Sequence, residues 1–143
     1  MCGILALFGE EVDVPSYLLS HRGPDDYSSK TLGKCRMDFY RLAINDLTES
    51  GMQPFRKDNE MLICNGEIYN HRDFLTGNEV SRSDCEVLLP LIKDYGIQKA
   101  LDNINGDFAL VWTNGKRVMA ARDHVGVRPL FYTRYDVSSF RRS

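Results

Sequence analysis

The sequence lacks the features that mark several broad classes of protein. It contains no run of about 18 apolar residues that could span a membrane, and residues 1–9 lack the basic flank and long apolar stretch of a secretory signal. Only 5 prolines and 11 glycines occur among 143 residues, without repeats or low-complexity segments, which excludes collagen-like and disordered chains. The 18 basic and 20 acidic residues give a net charge of -2, which indicates no nucleic acid partner and no anionic membrane surface.

Metal-ligand spacing is also missing. No Cys-x-x-Cys pair occurs, and the cysteines and histidines are too far apart to indicate a zinc site, a redox motif or a disulfide framework. We therefore expect no metal, no cofactor, and reduced thiols in a cytoplasmic protein. The histidines are interpreted as loop or surface side chains: His21, His71 and His124. Three cysteines are interpreted as small packing residues: Cys35, Cys64 and Cys85.

The chain has enough apolar sequence for one packed domain, since 43% of its residues are hydrophobic. No linker interrupts residues 1–133, which predicts one domain there and a short tail or final strand remnant at 134–143. Apolar runs between turn residues predict strands at 2–8, 36–44, 61–64, 108–112, 118–121 and 130–133. Asn114-Gly115 is typical of a hairpin turn. Because hairpin-length connections cannot join parallel strands, the pattern predicts an α+β fold with antiparallel sheets.

One clear helix is predicted in the second half of the chain. Ser83 and Glu86 have the Ser-x-x-Glu spacing of a capping box ahead of an apolar run, and Gly96 is expected to end the helix. Pro90 lies inside this segment and removes a backbone hydrogen bond, so we expect a kink there. A brief helix is also expected at 15–19.

Cys2 is the first residue whose chemistry suggests a function. If Met1 is removed, as expected before so small a residue, Cys2 carries a thiol and a free α-amine on one carbon, and thus a nucleophile together with its base. An α-amine with an ordinary pKa of about 7.7–8.0 is partly neutral at pH 7 and can take the thiol proton directly or through one water. The alternative is that Cys2 is a small apolar residue that opens a buried strand.

A set of short motifs runs through the chain in a particular order. They are Met1-Cys2-Gly3-Ile4, His21-Arg22-Gly23-Pro24-Asp25-Asp26, Arg41-Leu42-Ala43-Ile44-Asn45-Asp46, Gln53-Pro54, Asn65-Gly66-Glu67-Ile68-Tyr69-Asn70, Ser83-Asp84-Cys85-Glu86, Asn105-Gly106-Asp107-Phe108-Ala109 and Arg122-Asp123-His124-Val125-Gly126-Val127-Arg128-Pro129-Leu130. Together they resemble the glutaminase domain of asparagine synthetase, a class II glutamine amidotransferase of the N-terminal-nucleophile hydrolase type. The resemblance covers residues 1–132 and implies a four-layer α/β/β/α sandwich of two antiparallel sheets.

The resemblance assigns the stabilisation of an oxyanion to Asn65 and Gly66. Attack on an amide carbon develops an oxyanion, and each donor fixed in advance is worth about 2.7–4 kcal/mol in comparable sites. The Asn65 side-chain amide and the Gly66 backbone N–H are suitable donors, and glycine allows a close approach of the backbone. The alternative is a two-residue type I′ hairpin turn, for which Asn-Gly is the favoured dipeptide.

Four residues are expected to bind glutamine by the same resemblance: Arg41, Leu42, Glu67 and Asp84. The planar fork of Arg41 can bind both oxygens of the substrate α-carboxylate, and Glu67 and Asp84 are candidates for the α-ammonium. The alternative for Arg41 is a solvated cation on a strand. Asp84 has an alternative as an acidic residue in the first turn of a helix, where it interacts favourably with the macrodipole.

The resemblance implies hydrolysis of glutamine to glutamate and ammonia through a glutamyl thioester on Cys2. The intervals between Cys2 and His21 and between Glu67 and Asp84 are short for the family, so trimmed helices are expected there. The match fades after Tyr132 and no synthetase domain is recognised, which predicts a free-standing domain that supplies ammonia to a separate synthetase subunit. Two alternatives remain open: a catalytically inactive glutamine-binding or protein-interaction module, and an N-terminal-nucleophile hydrolase for another amide.

Overall fold

Two antiparallel β-sheets form the centre of the computed structural model. It describes residues 1–9, 14–44 and 46–134. The first sheet has the strand order β1-β3-β2 and contains β1 (Gly3–Phe8), β2 (Asp26–Leu32) and β3 (Cys35–Arg41). The second follows chain order and contains β4 (Phe55–Lys57), β5 (Glu60–Ile68), β6 (Gly106–Thr113) and β7 (Val118–Arg122). The predicted α+β sandwich of two antiparallel sheets is confirmed, and five strands lie where apolar runs predicted them: β1, β3, β5, β6 and β7.

Helices cover the outer face of the second sheet. They are α1 (Leu88–Tyr95) and α2 (Ile97–Asn103). Short 3₁₀ segments occur at Ser16–Arg22, Glu49–Gly51, His71–Phe74 and Asp84–Val87. The segment Ser16–Arg22 is the brief helix expected at 15–19, and it packs on the outer face of the first sheet, where Ser16 Oγ lies 3.1 Å from the Tyr40 hydroxyl. No helix within the described ranges has the length and apolar character needed to cross a membrane.

Strand alternation divides the buried side chains into two cores. The core between the sheets is formed by Cys35, Met37, Phe39, Met61, Ile63 and Val111, with Cys2, Ile4 and Ala6 packed against it. The second sheet and the helices share a core that includes Leu62, Cys64, Ile68, Cys85, Val87, Leu88, Phe108, Leu110 and Trp112. Because successive side chains of a strand point to opposite faces, odd-numbered residues of β5 face the first sheet and even-numbered ones face the helices. The three cysteines predicted to be packing residues are buried in these cores.

The turn between β6 and β7 confirms the hairpin predicted at Asn114-Gly115. The Asn114 side-chain oxygen accepts hydrogen bonds from the backbone N–H groups of Lys116 and Arg117, at 3.1 and 2.9 Å. Gly115 has φ +81°, a conformation that favours glycine. Its carbonyl accepts a hydrogen bond from the backbone N–H of Lys34 at 3.0 Å, so this turn also joins the two sheets.

The predicted capping box at Ser83 and Glu86 is wrong. The Ser83 side chain makes no capping hydrogen bond. The Glu86 carboxylate instead accepts hydrogen bonds from the backbone N–H groups of Val80 and Ser81, at 2.9 and 2.8 Å. Glu86 therefore stabilises the loop before the helix and does not cap the helix. The Ser-x-x-Glu spacing alone does not distinguish these two roles.

Pro90 lies inside a helix, as predicted, but close to the start of its α-helical part. Residues Asp84–Val87 are 3₁₀, and α1 begins only at Leu88. Pro90 is therefore the third residue of α1, within its first turn. Gly96 ends α1 as predicted: it has φ +81° and donates its N–H to the carbonyl of Ile92 at 2.8 Å.

The strand predicted at 130–133 is wrong. These residues form no strand, and Phe131 and Tyr132 are 89% and 91% exposed, so the apolar run there is not buried by the described part of the chain. The strand remnant suggested around 137–139 lies outside the described residues. Three elements had no apolar run to predict them: β2, β4 and α2.

Candidate active site

The space between the two sheets is apolar along most of its length and polar at one end. On β3 the core residue Phe39 is followed two positions later by Arg41, and on β5 Ile63 is followed by Asn65 and then Glu67. Residues two apart on a strand share a face. The polar residues that continue the core in this way are Cys2, Arg41, Asn65, Glu67 and Asp107. The pleat of the strands therefore gathers a thiol, a guanidinium, an amide and carboxylates at one end of the sandwich.

Cys2 immediately precedes β1, and the pairing of β1 with β3 brings it beside Leu42. The backbone N–H of Leu42 lies 3.4 Å from Cys2 Sγ, and the sulfur lies 3.6 Å from the Leu42 carbonyl oxygen. Burial raises the pKa of the Cys2 thiol, and the hydrogen bond from Leu42 opposes that shift. Leu42 thus contacts the sulfur through its backbone, which is possible because β3 ends at Arg41 and not at 44 as predicted.

Arg41 is buried, with 6% of its surface exposed, so its interpretation as a solvated cation is wrong. Its Nη1 donates to the Thr48 carbonyl at 2.7 Å, and its Nη2 donates to the Asp46 carbonyl. Gly51 is packed against the guanidinium, and a Cβ there would lie 2.6 Å from Nη2. The loop after β3 therefore fixes the orientation of the guanidinium in the wall of the site.

Asp46 organises this loop, a role that sequence reasoning missed although the residue lies in a quoted motif. Its Oδ1 accepts hydrogen bonds from the Thr48 N–H at 2.8 Å and the Thr48 hydroxyl at 2.7 Å. Its Oδ2 accepts the backbone N–H of Arg82 at 2.8 Å. These bonds, those of Thr48 first, lower the pKa of Asp46 to about 2. One carboxylate thus ties the loop that holds Arg41 to the segment that carries Asp84.

Asn65 and Gly66 lie inside β5, so the hairpin-turn alternative is wrong. They pair with Ala109 and Phe108 on β6 in a continuous antiparallel ladder. A Cβ on Gly66 would lie 2.0 Å from the Asp107 carbonyl oxygen and 2.6 Å from Phe108 Cα, so only glycine fits this approach of the two strands. The Asn65 side chain faces the first sheet, on the same side as Cys2, and is largely buried.

The neighbouring strand segment is held in register by Gln53. Its side-chain Nε2 donates to the Cys64 carbonyl at 3.1 Å, and its Oε1 accepts the Cys64 N–H at 2.6 Å. The amide of Gln53 thereby acts like one more residue of a strand beside β5. This pairing fixes the backbone directly before Asn65, and sequence reasoning gave no role to Gln53.

Asp84 is buried at the start of the 3₁₀ segment Asp84–Val87. Its Oδ2 accepts the backbone N–H of Ile68 at 2.5 Å, so it is bonded to the end of β5. The adjacent Cys85 thiol lies 3.6 Å from the Gly66 carbonyl oxygen, with the sulfur as donor. Asp84 and Glu67 therefore approach the pocket from different elements. Asp84 is also an acidic residue in the first turn of a helical segment, as its alternative interpretation predicted, because the 3₁₀ segment runs directly into α1.

A loop after β7 contributes Arg128, which sequence reasoning treated only as part of a motif. The Asp123 carboxylate accepts backbone N–H groups from four residues: Phe108, Gly126, Val127 and Arg128. Burial acts to raise the pKa of Asp123, but these hydrogen bonds prevail and lower it to about 2. The loop is thereby folded around one carboxylate and directs Arg128 Nη2 to within 2.8 Å of Asp107 Oδ2.

All the residues predicted for the site line a single pocket. They are Cys2, Arg41, Leu42, Asn65, Gly66, Glu67 and Asp84, and Asp46, Gln53, Cys64, Cys85 and Arg128 also contribute to its wall. The pocket combines a cation fixed on one side with carboxylates on the other, a pattern complementary to a free amino acid. Among the described residues, no group of three or more potential ligands could hold a metal ion. His21 and His124 are exposed, as predicted, and His71 lies in a 3₁₀ segment with its Nδ1 2.9 Å from the Ile68 carbonyl oxygen.

These features define a class of protein: an α+β sandwich that holds a cysteine thiol and a charge-complementary pocket at one end of its two sheets. Comparison with known proteins gives the family. A family model for the glutamine amidotransferase domain matches residues 1–142. The chain therefore belongs to the glutamine amidotransferase domain family.

Three curated relatives illustrate the similarity. The chain is 39% identical over 150 residues to a probable asparagine synthetase [glutamine-hydrolyzing] of Acanthamoeba polyphaga mimivirus, an alignment that covers 92% of this chain and 27% of the relative. It is 39% identical over 147 residues to the human asparagine synthetase [glutamine-hydrolyzing], covering 92% and 26%. It is 38% identical over 133 residues to the amidase chyE of Penicillium rubens, covering 87% and 20%. The chain thus spans about a quarter of the length of the relatives it matches.

Proposed function

We propose that this chain hydrolyses glutamine to glutamate and ammonia, with Cys2 as the nucleophile after removal of Met1. The observation that carries the proposal is the convergence of Cys2, Arg41, Asn65 and Glu67 at the polar end of the space between the sheets. A thiol, an amide donor and two opposite charges are the groups that a zwitterionic amide substrate requires. Membership of the glutamine amidotransferase family supports glutamine as that substrate.

Substrate binding is proposed to use the two charged walls of the pocket. Among the described residues, backbone carbonyls engage two of the five N–H donors of Arg41, and the remaining donors are proposed to bind the glutamine α-carboxylate. Glu67 and Asp84 receive the α-ammonium from the opposite side. The Leu42 backbone holds the sulfur. Binding both charged groups directs the side-chain amide of glutamine towards Cys2 and converts binding energy into alignment.

The chemical step is proposed to begin with transfer of the Cys2 thiol proton to the α-amine of the same residue. A thiol with an ordinary pKa of about 8.5 is mostly protonated at neutral pH, so a base must take its proton during attack. The sulfur adds to the δ-carbon of glutamine, and the side-chain amide of Asn65 and the N–H of Gly66 stabilise the oxyanion. The protonated amine returns its proton to the leaving nitrogen, ammonia departs, and water hydrolyses the glutamyl thioester.

We also propose that a separate synthetase subunit consumes the ammonia that this domain releases. Two of the relatives described above are named asparagine synthetase, and their names include glutamine hydrolysis. These names support an asparagine-forming synthetase as the acceptor. Ammonia consumption by a candidate subunit, measured with glutamine as the nitrogen source and with and without this chain, tests that pairing.

The direct test is release of ammonia from glutamine by protein whose mature N-terminus is verified by mass spectrometry. The expected result is turnover that is lost in Cys2→Ala, together with covalent labelling of Cys2 by an electrophilic glutamine analogue such as 6-diazo-5-oxonorleucine. Cys35→Ala is a matched control, because Cys35 lies at the far end of β3. Equal rates for wild type and Cys2→Ala would refute the catalytic role, and glutamine binding without labelling would favour an inactive binding module. Preference for uncharged amides would instead identify a hydrolase of another substrate.

A further inference from the structure

An ion pair beside Glu67 has no role in the steps above. Arg128 Nη2 lies 2.8 Å from Asp107 Oδ2, and the two side chains are only 17% and 14% exposed. Two further polar atoms of the pair, Asp107 Oδ1 and Arg128 Nε, are buried and have no hydrogen-bond partner among the described residues. A largely buried ion pair of this kind pays a desolvation penalty that can cancel its attraction, so it is weak evidence of a purely stabilising role.

The register of β5 and β6 explains what the pair can do. Asp107 lies directly opposite Glu67. Directly opposite side chains on antiparallel strands have Cβ atoms about 4.5–5.5 Å apart, and like charges there repel each other. Two carboxylates this close resist simultaneous ionisation unless a cation accompanies them. Arg128 is that cation, because it contacts Asp107 and also lines the pocket.

The other titratable groups around this pair are already engaged or do not compensate the charge. They are Cys2, Arg41, Asp46, Cys64, Tyr69, Asp84, Cys85 and Asp123. The Arg41 guanidinium is held by the loop after β3, and the Asp123 carboxylate is held by the backbone of the Arg128 loop. The nearby Asp107 carboxylate raises the pKa of Tyr69, so that tyrosine stays neutral. Within the described wall of the pocket, neutralisation of Asp107 therefore depends on Arg128.

We propose that Arg128 is a positioning residue for glutamine: it neutralises Asp107, so that Glu67 keeps its negative charge for the α-ammonium of the substrate. The inference rests on the proposed function, because it assumes that an α-ammonium occupies this side of the pocket. Its consequence is a pH dependence. Without Arg128, the Glu67–Asp107 pair takes up a proton as the pH falls, and glutamine binding weakens on the acidic side.

The test measures glutamine affinity by calorimetry at pH 6.0 and 8.0, in protein with Met1 removed and a Cys2→Ala background, so that no turnover is needed. Arg128→Met removes the cation and retains an unbranched side chain of similar length. Asp107→Asn/Arg128→Met removes both charges of the pair and leaves Glu67 without a facing carboxylate. Arg117→Met is the matched control, because Arg117 is exposed in the β6–β7 turn. Its substitution removes one positive charge, as Arg128→Met does.

The expected result is that Arg128→Met weakens glutamine binding more at pH 6.0 than at pH 8.0, by at least about threefold relative to the parent, because two facing carboxylates without a cation are protonated more readily at the lower pH. The double variant is expected to bind within about threefold of the parent at both pH values, as is Arg117→Met. A pH-independent loss in Arg128→Met, or a double variant as weak as Arg128→Met at pH 6.0, would mean a structural role and would overturn the inference. If the parent binds glutamine but the Cys2-containing enzyme does not hydrolyse it, the catalytic proposal fails and this inference stands.

Discussion

Replacement of Arg41 by lysine tests the geometry of the pocket most directly. The substitution keeps the positive charge, so any effect reports on the shape of the donor set. Arg41 has five N–H donors, of which two are held by the carbonyls of Asp46 and Thr48. A lysine ammonium has three, so if it satisfies the same two carbonyls it retains one for the substrate and cannot bind both carboxylate oxygens.

The expected magnitude follows from the loss of one charge-assisted hydrogen bond. Such a bond contributes about 1.5–3 kcal/mol, and each 1.4 kcal/mol is a factor of about ten. Arg41→Lys should therefore raise the KM for glutamine about 10- to 150-fold and change kcat much less. The proposed pairing also predicts discrimination: wild type should prefer glutamine to glutaminamide, which lacks the α-carboxylate, and Arg41→Lys should discriminate less.

Steady-state ammonia release at a fixed pH, with both substrates, measures these constants. Arg56→Lys is a suitable control, because Arg56 is exposed on β4 at a distance from the pocket wall. A KM for glutamine within about threefold of wild type in Arg41→Lys would refute the proposed contact with the carboxylate. Equal losses for glutamine and glutaminamide would show that the lysine disturbs the loop and not the substrate.

Three further predictions concern the supports of the site. Gly66→Ala places a Cβ 2.0 Å from a backbone oxygen of β6 and should lower the free energy of unfolding by about 1–3 kcal/mol in urea titrations; a change below about 0.5 kcal/mol would contradict the close approach. Asp123→Asn keeps one acceptor oxygen and replaces the other with an NH2 group, so two of the four N–H groups lose their acceptor. The substitution should cost at least about 1.5 kcal/mol and raise the KM for glutamine, since the same loop carries Arg128; an unchanged KM would show that this loop does not influence substrate binding. Because the pKa values of Asp46 and Asp123 are depressed to about 2, their contribution to stability is complete above the ordinary carboxyl pKa and is lost as the pH falls from about 4 to 2. Urea midpoints measured across that range should fall less steeply in Asp46→Asn/Asp123→Asn than in wild type, and parallel curves would contradict the assignment.

The sequence predicted the parts of the fold that have a strong apolar signal. β5 and β6 are short apolar runs buried on both faces, and both were located from the sequence. β2 was missed because its residues, Asp26–Leu32, are mostly polar and exposed, and it is held as a strand by pairing with β3. Local pattern cannot reveal a strand of this kind, because its stability comes from the partner strand.

In the candidate site, too, the sequence predicted some residues and missed others. The chemistry of a cysteine at position 2 selected Cys2, the resemblance to a family selected Arg41 and Asn65, and these residues line one pocket. Asp46 and Asp123 were not recognised as supports, because each acts through hydrogen bonds to backbone groups that are distant in sequence or folded back in a loop. The identity of a single residue does not predict hydrogen bonds of this kind.

The alternation that builds the pocket also determines which changes in chain length it tolerates. Deletion of one residue within β5 would rotate Asn65 and Glu67 to the helical side and bring Gly66 or Ile68 to face the first sheet. Connections between strands have no alternating pattern to preserve. A loop or a helix can therefore shorten without changing which side chains of a strand face the pocket. The short 3₁₀ segments on this sandwich are therefore compatible with an intact pocket, and insertions or deletions among its relatives should be confined to the connections.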